Sequence, residues 1–173
     1  MPRFQDLLRS LGGRSLGFTM EERMSGTHRF RRDFPAGGVT AGEERPLELR
    51  ARWGHPRLLG FLSPGSEEFL TAELAGTLEA GGLCRAAPIR GTLELRYFVD
   101  ATIRYRFELR GDDGVAYRFL GEKREIRPWN LHRTHTICRG TIERAEDGET
   151  LSDVTVRFDL AELPSFLSSF RLG

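Results

Sequence analysis

The stretch Thr102–Lys123, TIRYRFELRGDDGVAYRFLGEK, decides the fold. Ile103, Tyr105, Phe107 and Leu109 alternate with Arg104, Arg106, Glu108 and Arg110. Such alternation is the period of a strand, whose successive side chains point to opposite faces. Gly111-Asp112-Asp113-Gly114 then supplies turn chemistry, and Val115, Tyr117 and Phe119 resume the alternation. The stretch therefore reads as a β-hairpin with one apolar and one charged face. Gly121 predicts a bulge or bend in the return strand. The register there decides whether Lys123 shares the face of Tyr117 and Phe119 or flips outward.

The same pattern extends in both directions. Leu93, Leu95, Tyr97 and Val99 alternate through Thr92–Val99. The run from Thr92 to Arg110 is long for one strand, and Asp100-Ala101 marks either a turn or a sharp bend; parity does not decide. Shorter strands are predicted over His28–Phe34, Leu47–Trp53, Phe69–Leu78, Leu131–Ile142 and Leu151–Asp159. Gly-Thr-Leu-Glu occurs at Gly76–Glu79 and again at Gly91–Glu94, as adjacent strands with similar needs would produce. Phe4, Leu7, Leu8 and Leu11 share one helical face, and Gly12-Gly13 ends that helix. A short helix or turn near the C-terminus is expected to pack Phe166, Leu167 and Phe170. The chain thus divides into an N-terminal helical segment, residues 1–17, and a single β-barrel domain, residues 18–173. Seven to nine strands joined mostly by short turns argue an all-β, antiparallel up-and-down barrel or a sandwich, with short terminal helices.

Composition narrows the function classes. The 173 residues suit one domain with a real core. Lys plus Arg number 26 against 25 Asp plus Glu, so no electrostatic footprint for nucleic acid appears. The basic side is mostly Arg, as a GC-rich genome would bias it. Two cysteines make no disulfide framework. The N-terminus does not read as a secretory signal, and no run approaches the roughly 20 apolar residues of a membrane span. A cytoplasmic location is the resulting expectation.

Leu131–Gly140, LHRTHTICRG, sets His132, His135 and Cys138 at regular spacing and invites a metal reading. On a strand, His132, Thr134, Thr136 and Cys138 share one face, and His135 takes the other. His132 and Cys138 would then lie about 20 Å apart, too far for one ion. No Gly-x-Ser-x-Gly elbow, phosphate loop or dinucleotide fingerprint occurs. No cofactor, metal or catalytic residue is therefore expected.

The candidate site is the barrel interior. Tyr97, Tyr105, Phe107, Tyr117 and Phe119 have inward parity, and three tyrosine hydroxyls there need partners. A bound amphipathic ligand would supply them, and so would hydrogen bonds to Thr134 and Thr136. Lys123 on the same face would be costly unless paired or wet, and could meet a ligand's carboxylate or hydroxyl.

The order of these features resembles a family. Phe18 followed by Glu22-x-Met24-x-Gly26 resembles its entry motif. Gly76-Thr77 and Gly91-Thr92-Leu93-x-Leu95 resemble its glycine-led strands. Tyr105-x-Phe107, Asp112-Asp113-Gly114 and Tyr117-x-Phe119-x-Gly121-x-Lys123 resemble its central hairpin, and Thr134-x-Thr136 its Thr-rich strand. The family is the lipocalin-like β-barrel domain associated with bacterial cholesterol-oxidase-like members of the glucose–methanol–choline flavoenzymes. His132-Arg133 stands where that family places an acidic residue. The resemblance covers roughly residues 18–160 and implies a barrel module linked to lipid or sterol metabolism. The flavin-binding part has no counterpart here, so oxidase activity is not carried over.

Three functional expectations follow. The first is a non-catalytic barrel that binds a fatty acid, sterol or related lipid. Tyr105, Phe107, Tyr117 and Phe119 would form the wall, with Lys123 and Thr134 or Thr136 as polar anchors. The second is a structural or interaction module with a self-filled core, accessory to a lipid-metabolising enzyme or another protein. Its outer face would carry Arg104, Arg106, Arg110 and Arg118. The third is an enzyme at the barrel mouth, which lacks any acid/base or nucleophile pair that strand geometry would assemble.

Overall fold

The computed structural model describes residues 16–124, 137–158, 168 and 171–172. Among these residues there are nine strands: β1 (Phe18–Phe30), β2 (Glu44–His55), β3 (Thr71–Ala80), β4 (Cys84–Arg96), β5 (Thr102–Arg110), β6 (Ala116–Lys123), β7 (Ile137–Arg144), β8 (Thr150–Phe158) and β9 (Arg171–Leu172). Each of the first seven pairs antiparallel with the next, and β1 pairs with both β2 and β8. The sheet therefore closes into an eight-stranded, up-and-down barrel, with β9 as an extra strand against the start of β1. Closure removes the free edges an open sheet would expose.

The hairpin that decided the fold forms as β5 and β6, with Phe107 opposite Phe119 and Ile103 opposite Lys123. Ile103, Tyr105, Phe107, Leu109, Tyr117 and Phe119 are all buried in the core. Asp113 holds the turn: its carboxylate accepts from the Val115 N–H at 3.0 Å and from the Tyr117 hydroxyl at 2.7 Å. Val115 belongs to this turn and does not join the buried face. The ladder runs through Gly121 without a register shift, so the predicted bulge does not form. Glycine serves packing instead. A Cβ at position 121 would sit 2.5 Å from the Phe119 ring and 3.1 Å from Cys138 Sγ.

The long run Thr92–Arg110 breaks into β4 and β5 at residues 97–101. Arg96 O accepts from the N–H groups of Val99, Asp100 and Ala101, and Ala101 adopts a positive φ of 55°. Asp100 fixes the turn through Thr102 (2.5 Å), Arg104 (2.8 Å) and Arg96 (3.1 Å). Two strands start eight or more residues before the predicted positions. β1 begins at Phe18, ten residues before His28, and β4 begins at Cys84, before Thr92. In β1 the apolar alternation is broken by Glu22 and Gly26, and in β4 it is diluted by Ala86, Ala87 and Pro88, which blurs the period. The two Gly-Thr-Leu-Glu copies do lie in adjacent strands, β3 and β4, with Gly76 opposite Ile89 and Leu74 opposite Gly91. The predicted N-terminal helix, ended by Gly12-Gly13, lies outside the described residues, as does its segment 1–17 up to position 15, and the predicted C-terminal helix largely does as well.

The two barrel ends differ. At one end the connections are short or self-packed. Residues 81–83, 111–115 and 145–149 join strands directly, and Phe30, Val39 and Leu83 are buried there. His28 is also buried at this end, its ring nitrogens facing Ser152 Oγ at 3.1 Å and Gly81 O at 3.0 Å. The opposite end carries the start of β1, the 56–70 connection with the four-residue helix α1 (Leu58–Phe61), and the 97–101 turn. β6 ends and β7 begins at this second end, which we call the mouth.

Candidate functional site

Inward parity on three strands brings a charged cluster into the mouth half of the barrel. Glu22 alternates inward on β1 between Met20 and Met24, and Lys123 is the last residue of β6. Lys123 Nζ contacts Glu22 Oε1, and the two side chains are only 4% and 5% exposed. Tyr105, on β5, donates its hydroxyl to Glu22 Oε2 at 2.9 Å. The ammonium also lies 5.3 Å from the Tyr105 ring centroid and 6.0 Å from that of Phe158, within cation–π range. Lys123 is the only lysine in the chain; every other basic side chain apart from histidine is arginine.

Such a pair is expensive. Removing two charges from water costs several kcal/mol per ion, and mutual attraction recovers this only with good geometry and additional hydrogen bonds. Here Tyr105 satisfies the second carboxylate oxygen. Neighbouring acids are held protonated. Burial raises the Tyr105 hydroxyl well above its ordinary value, and the Glu22 charge adds to this. Burial pushes the Cys138 thiol up to about 12, with Lys123 pulling the other way. Tyr97 is raised by burial and by Glu22 as well. The residue is nevertheless 36% exposed, in the turn that follows β4.

Trp53, on β2, supplies a further polar group. It is 9% exposed and packs edge-on against Phe18, with centroids 6.0 Å apart. Its Nε1–H is buried and has no hydrogen-bond partner among the described residues. Trp53 pairs with Met20 and Ala51 with Glu22, so Trp53 stands two ladder positions from Glu22 on the neighbouring strand. Diagonal neighbours of this kind have backbones about 7–8 Å apart.

The mouth is rimmed by exposed apolar side chains. Phe98 is 83% exposed, Val99 74%, Leu62 53% and Leu59 49%. Phe98 stacks on Phe69 with centroids 6.4 Å apart, tying the 97–101 turn to the 56–70 connection.

The predicted site residues separate as follows. Tyr105, Phe107, Tyr117, Phe119 and Lys123 all lie inside the barrel. Phe107 and Phe119 stack at 4.6 Å in the core. Tyr117 sits towards the closed end, where Asp113 takes its hydroxyl. Tyr97 lies in the 97–101 turn at the rim and is not part of an interior wall, because the chain leaves the sheet before its parity applies. Thr134 and Thr136, like His132 and His135, fall outside the described residues. Glu22 and Trp53 were not among the predicted site residues. Glu22 escaped because β1 was expected to begin only at His28, although its inward position between two methionines carried the signal. Cys138 faces the interior as a thiol, and no metal-binding group of His, Cys, Asp or Glu occurs among the described residues.

The outer face is organised differently. A trough of about 1390 Å³ lies across the outside of β4–β7, lined by Arg90, Arg104, Arg106, Arg118, Glu122 and Arg139 among others. It is separated from the buried pair by the sheet. The strand register sets charges in alternating rows: Arg90–Glu108–Arg118–Glu143 and Glu94–Arg104–Glu122–Arg139. Alternation of this kind is favourable across neighbouring strands and balances much of the arginine charge locally.

Comparison of the chain with family models, curated proteins and solved structures yields no match in any of the three. No helix among the described residues is long and apolar enough to cross a membrane.

Proposed function

We propose that the barrel is a non-catalytic binding module that takes an apolar ligand with a small polar head through its mouth. The observation that carries this reading is the orphan Trp53 N–H, on a residue two ladder positions from Glu22 in the same half of the barrel as the Glu22–Lys123–Tyr105 cluster. A buried donor without an acceptor costs about 1–3 kcal/mol. A ligand oxygen removes that cost. The exposed apolar rim lies at the same end, where an apolar molecule would enter. The ligand class remains that of a fatty acid, sterol or related lipid, in keeping with the resemblance to barrel domains of cholesterol-oxidase-like flavoenzymes. An eight-stranded barrel has room for its own side chains or one small ligand.

A second reading is favoured by the tyrosine hydroxyls. Both Tyr105 and Tyr117 find partners within the protein, as a self-filled core requires. The barrel would then act through its rim or outer face as an accessory to an enzyme. One experiment separates the two. The protein is purified without detergent, denatured and extracted, and the extract is examined by mass spectrometry. The purified protein is also titrated with the uncharged probe N-phenyl-1-naphthylamine. Stoichiometric lipid, or saturable probe binding that Trp53→Phe weakens, supports the binding module. An empty protein that binds no probe supports the self-filled module.

A further inference from the structure

We infer that the mouth site selects an uncharged oxygen head group, an alcohol or ketone on an apolar body, and rejects a carboxylate. This inference rests on the binding-module reading and concerns the same site.

The argument is charge accounting. Lys123 is the sole cation inside the described barrel, and Glu22 already neutralises it. A ligand carboxylate would bring a second negative charge into a site with no second cation. Like charges in a low-dielectric site repel strongly, and a buried unpaired charge is among the most costly features a protein can hold. The surrounding acids report the same field: Tyr97, Tyr105 and Cys138 are all held in their neutral forms, partly by the Glu22 charge.

The hydrogen-bond inventory agrees. Trp53 offers one unused N–H. An ammonium has three N–H donors, and Glu22 is the only acceptor that the described structure gives Lys123. A carbonyl or hydroxyl oxygen accepts such bonds without adding charge. A hydroxyl can also donate to a Glu22 oxygen, which a carboxylate cannot do.

The test compares 1-decanol with decanoate at pH 8, each displacing N-phenyl-1-naphthylamine. The chain's single lysine gives one signal when labelled with [13Cε]lysine, and that signal reports whether either ligand reaches Lys123. Because decanol is the more apolar ligand in any pocket, the decisive quantity is the ratio of the two affinities across variants. Glu22→Gln frees the ammonium, and the decanol-to-decanoate ratio is expected to fall by at least about tenfold. The double variant Glu22→Gln with Lys123→Gln, which removes both charges, is expected to keep a ratio near that of the wild type. A third measurement needs no variant. At pH 6.5, decanoate is expected to bind the wild type as the neutral acid, taking up about one proton per ligand by calorimetry in buffers of different ionisation enthalpy.

A ratio unchanged in Glu22→Gln, or decanoate binding without proton uptake and with a shifted Lys123 signal, overturns the inference and leaves the binding module standing. Absence of saturable binding by either ligand and by the probe refutes the binding module itself. Binding that leaves the Lys123 signal unmoved places the ligand elsewhere and refutes the assignment of the site.

Discussion

Replacing Lys123 by Met is expected to destabilise the barrel by about 3–5 kcal/mol, because it strands the Glu22 carboxylate in the interior with Tyr105 as its remaining partner. The loss includes the ammonium's contacts with the Tyr105 and Phe158 rings, worth roughly 0.5–2 kcal/mol. In a chain of this size each kcal/mol moves the melting temperature by about 2–4 °C, so a fall of about 6–20 °C is expected. Glu22→Leu strands the ammonium and is expected to cost a similar amount. The double variant, in which two apolar side chains replace the pair, is expected to lie within about 1 kcal/mol of the wild type or above it, since well-packed apolar groups often equal or exceed a buried ion pair. Urea and thermal unfolding followed by circular dichroism supply the four corners of the double-mutant cycle. Two single variants that each lose less than about 1 kcal/mol, with additive effects, would refute the reasoning. The pair would then be hydrated and the mouth already open to water.

Other expectations are independent of that pair. His28 is buried, and desolvation lowers its pKa below the ordinary 6.5. The unfolded chain therefore binds a proton more readily than the folded one. Stability is fully present above pH 6.5 and declines as pH falls below it, and His28→Gln should flatten this part of the pH profile. Gly91→Ala should cost more than Gly114→Ala. A Cβ at Gly91 would lie 1.9 Å from Arg106 O and force the β4–β5 backbone apart, a cost of at least about 1–3 kcal/mol. Gly114 has open space around it and only a φ of +80° to satisfy, a cost of about 1 kcal/mol. Equal unfolding midpoints for the two variants would contradict the role of Gly91 as a point of close strand approach. Cys84, raised to about 11, and Cys138, raised to about 12, should react with an aromatic disulfide reagent only after unfolding. Fast reaction of Cys138 in the native protein would mean that the barrel interior is accessible.

Much of this fold was legible in strand period. Alternation in Thr102–Lys123 placed six core side chains and the correct hairpin, because both faces of the pattern were clean: apolar inward, charged outward. The same logic failed at Tyr97 for a local reason. Asp100 gathers Arg96, Arg104 and Thr102 into a turn, and parity has no meaning once the chain leaves the sheet. Lys123 was identified as an interior candidate, but its partner was not. Glu22 lies 101 residues away, and no local pattern announces a contact between the first strand and the sixth. The orphan indole of Trp53 was likewise invisible, since an unsatisfied donor is a property of what surrounds it in three dimensions.

Closure through β1 also governs the order in which the barrel can be made. β1 pairs with β2 as a local hairpin, yet its other edge waits for β8, the last of the eight barrel strands in sequence. During synthesis that edge of β1, from Met24 to Phe30, leaves the ribosome long before Ser152–Phe158 exists to cover it. Contacts of such sequence separation make folding slow, since loop closure must be paid for before they form. An uncovered strand edge in the meantime is a template for pairing with another chain. Arg29 on that segment and Arg23 and Arg31 flanking it put charge beside the waiting edge, a form of protection against premature partners. The final zipping of β8 onto β1 should accordingly be the slow phase of refolding, and the refolding yield should fall as protein concentration rises.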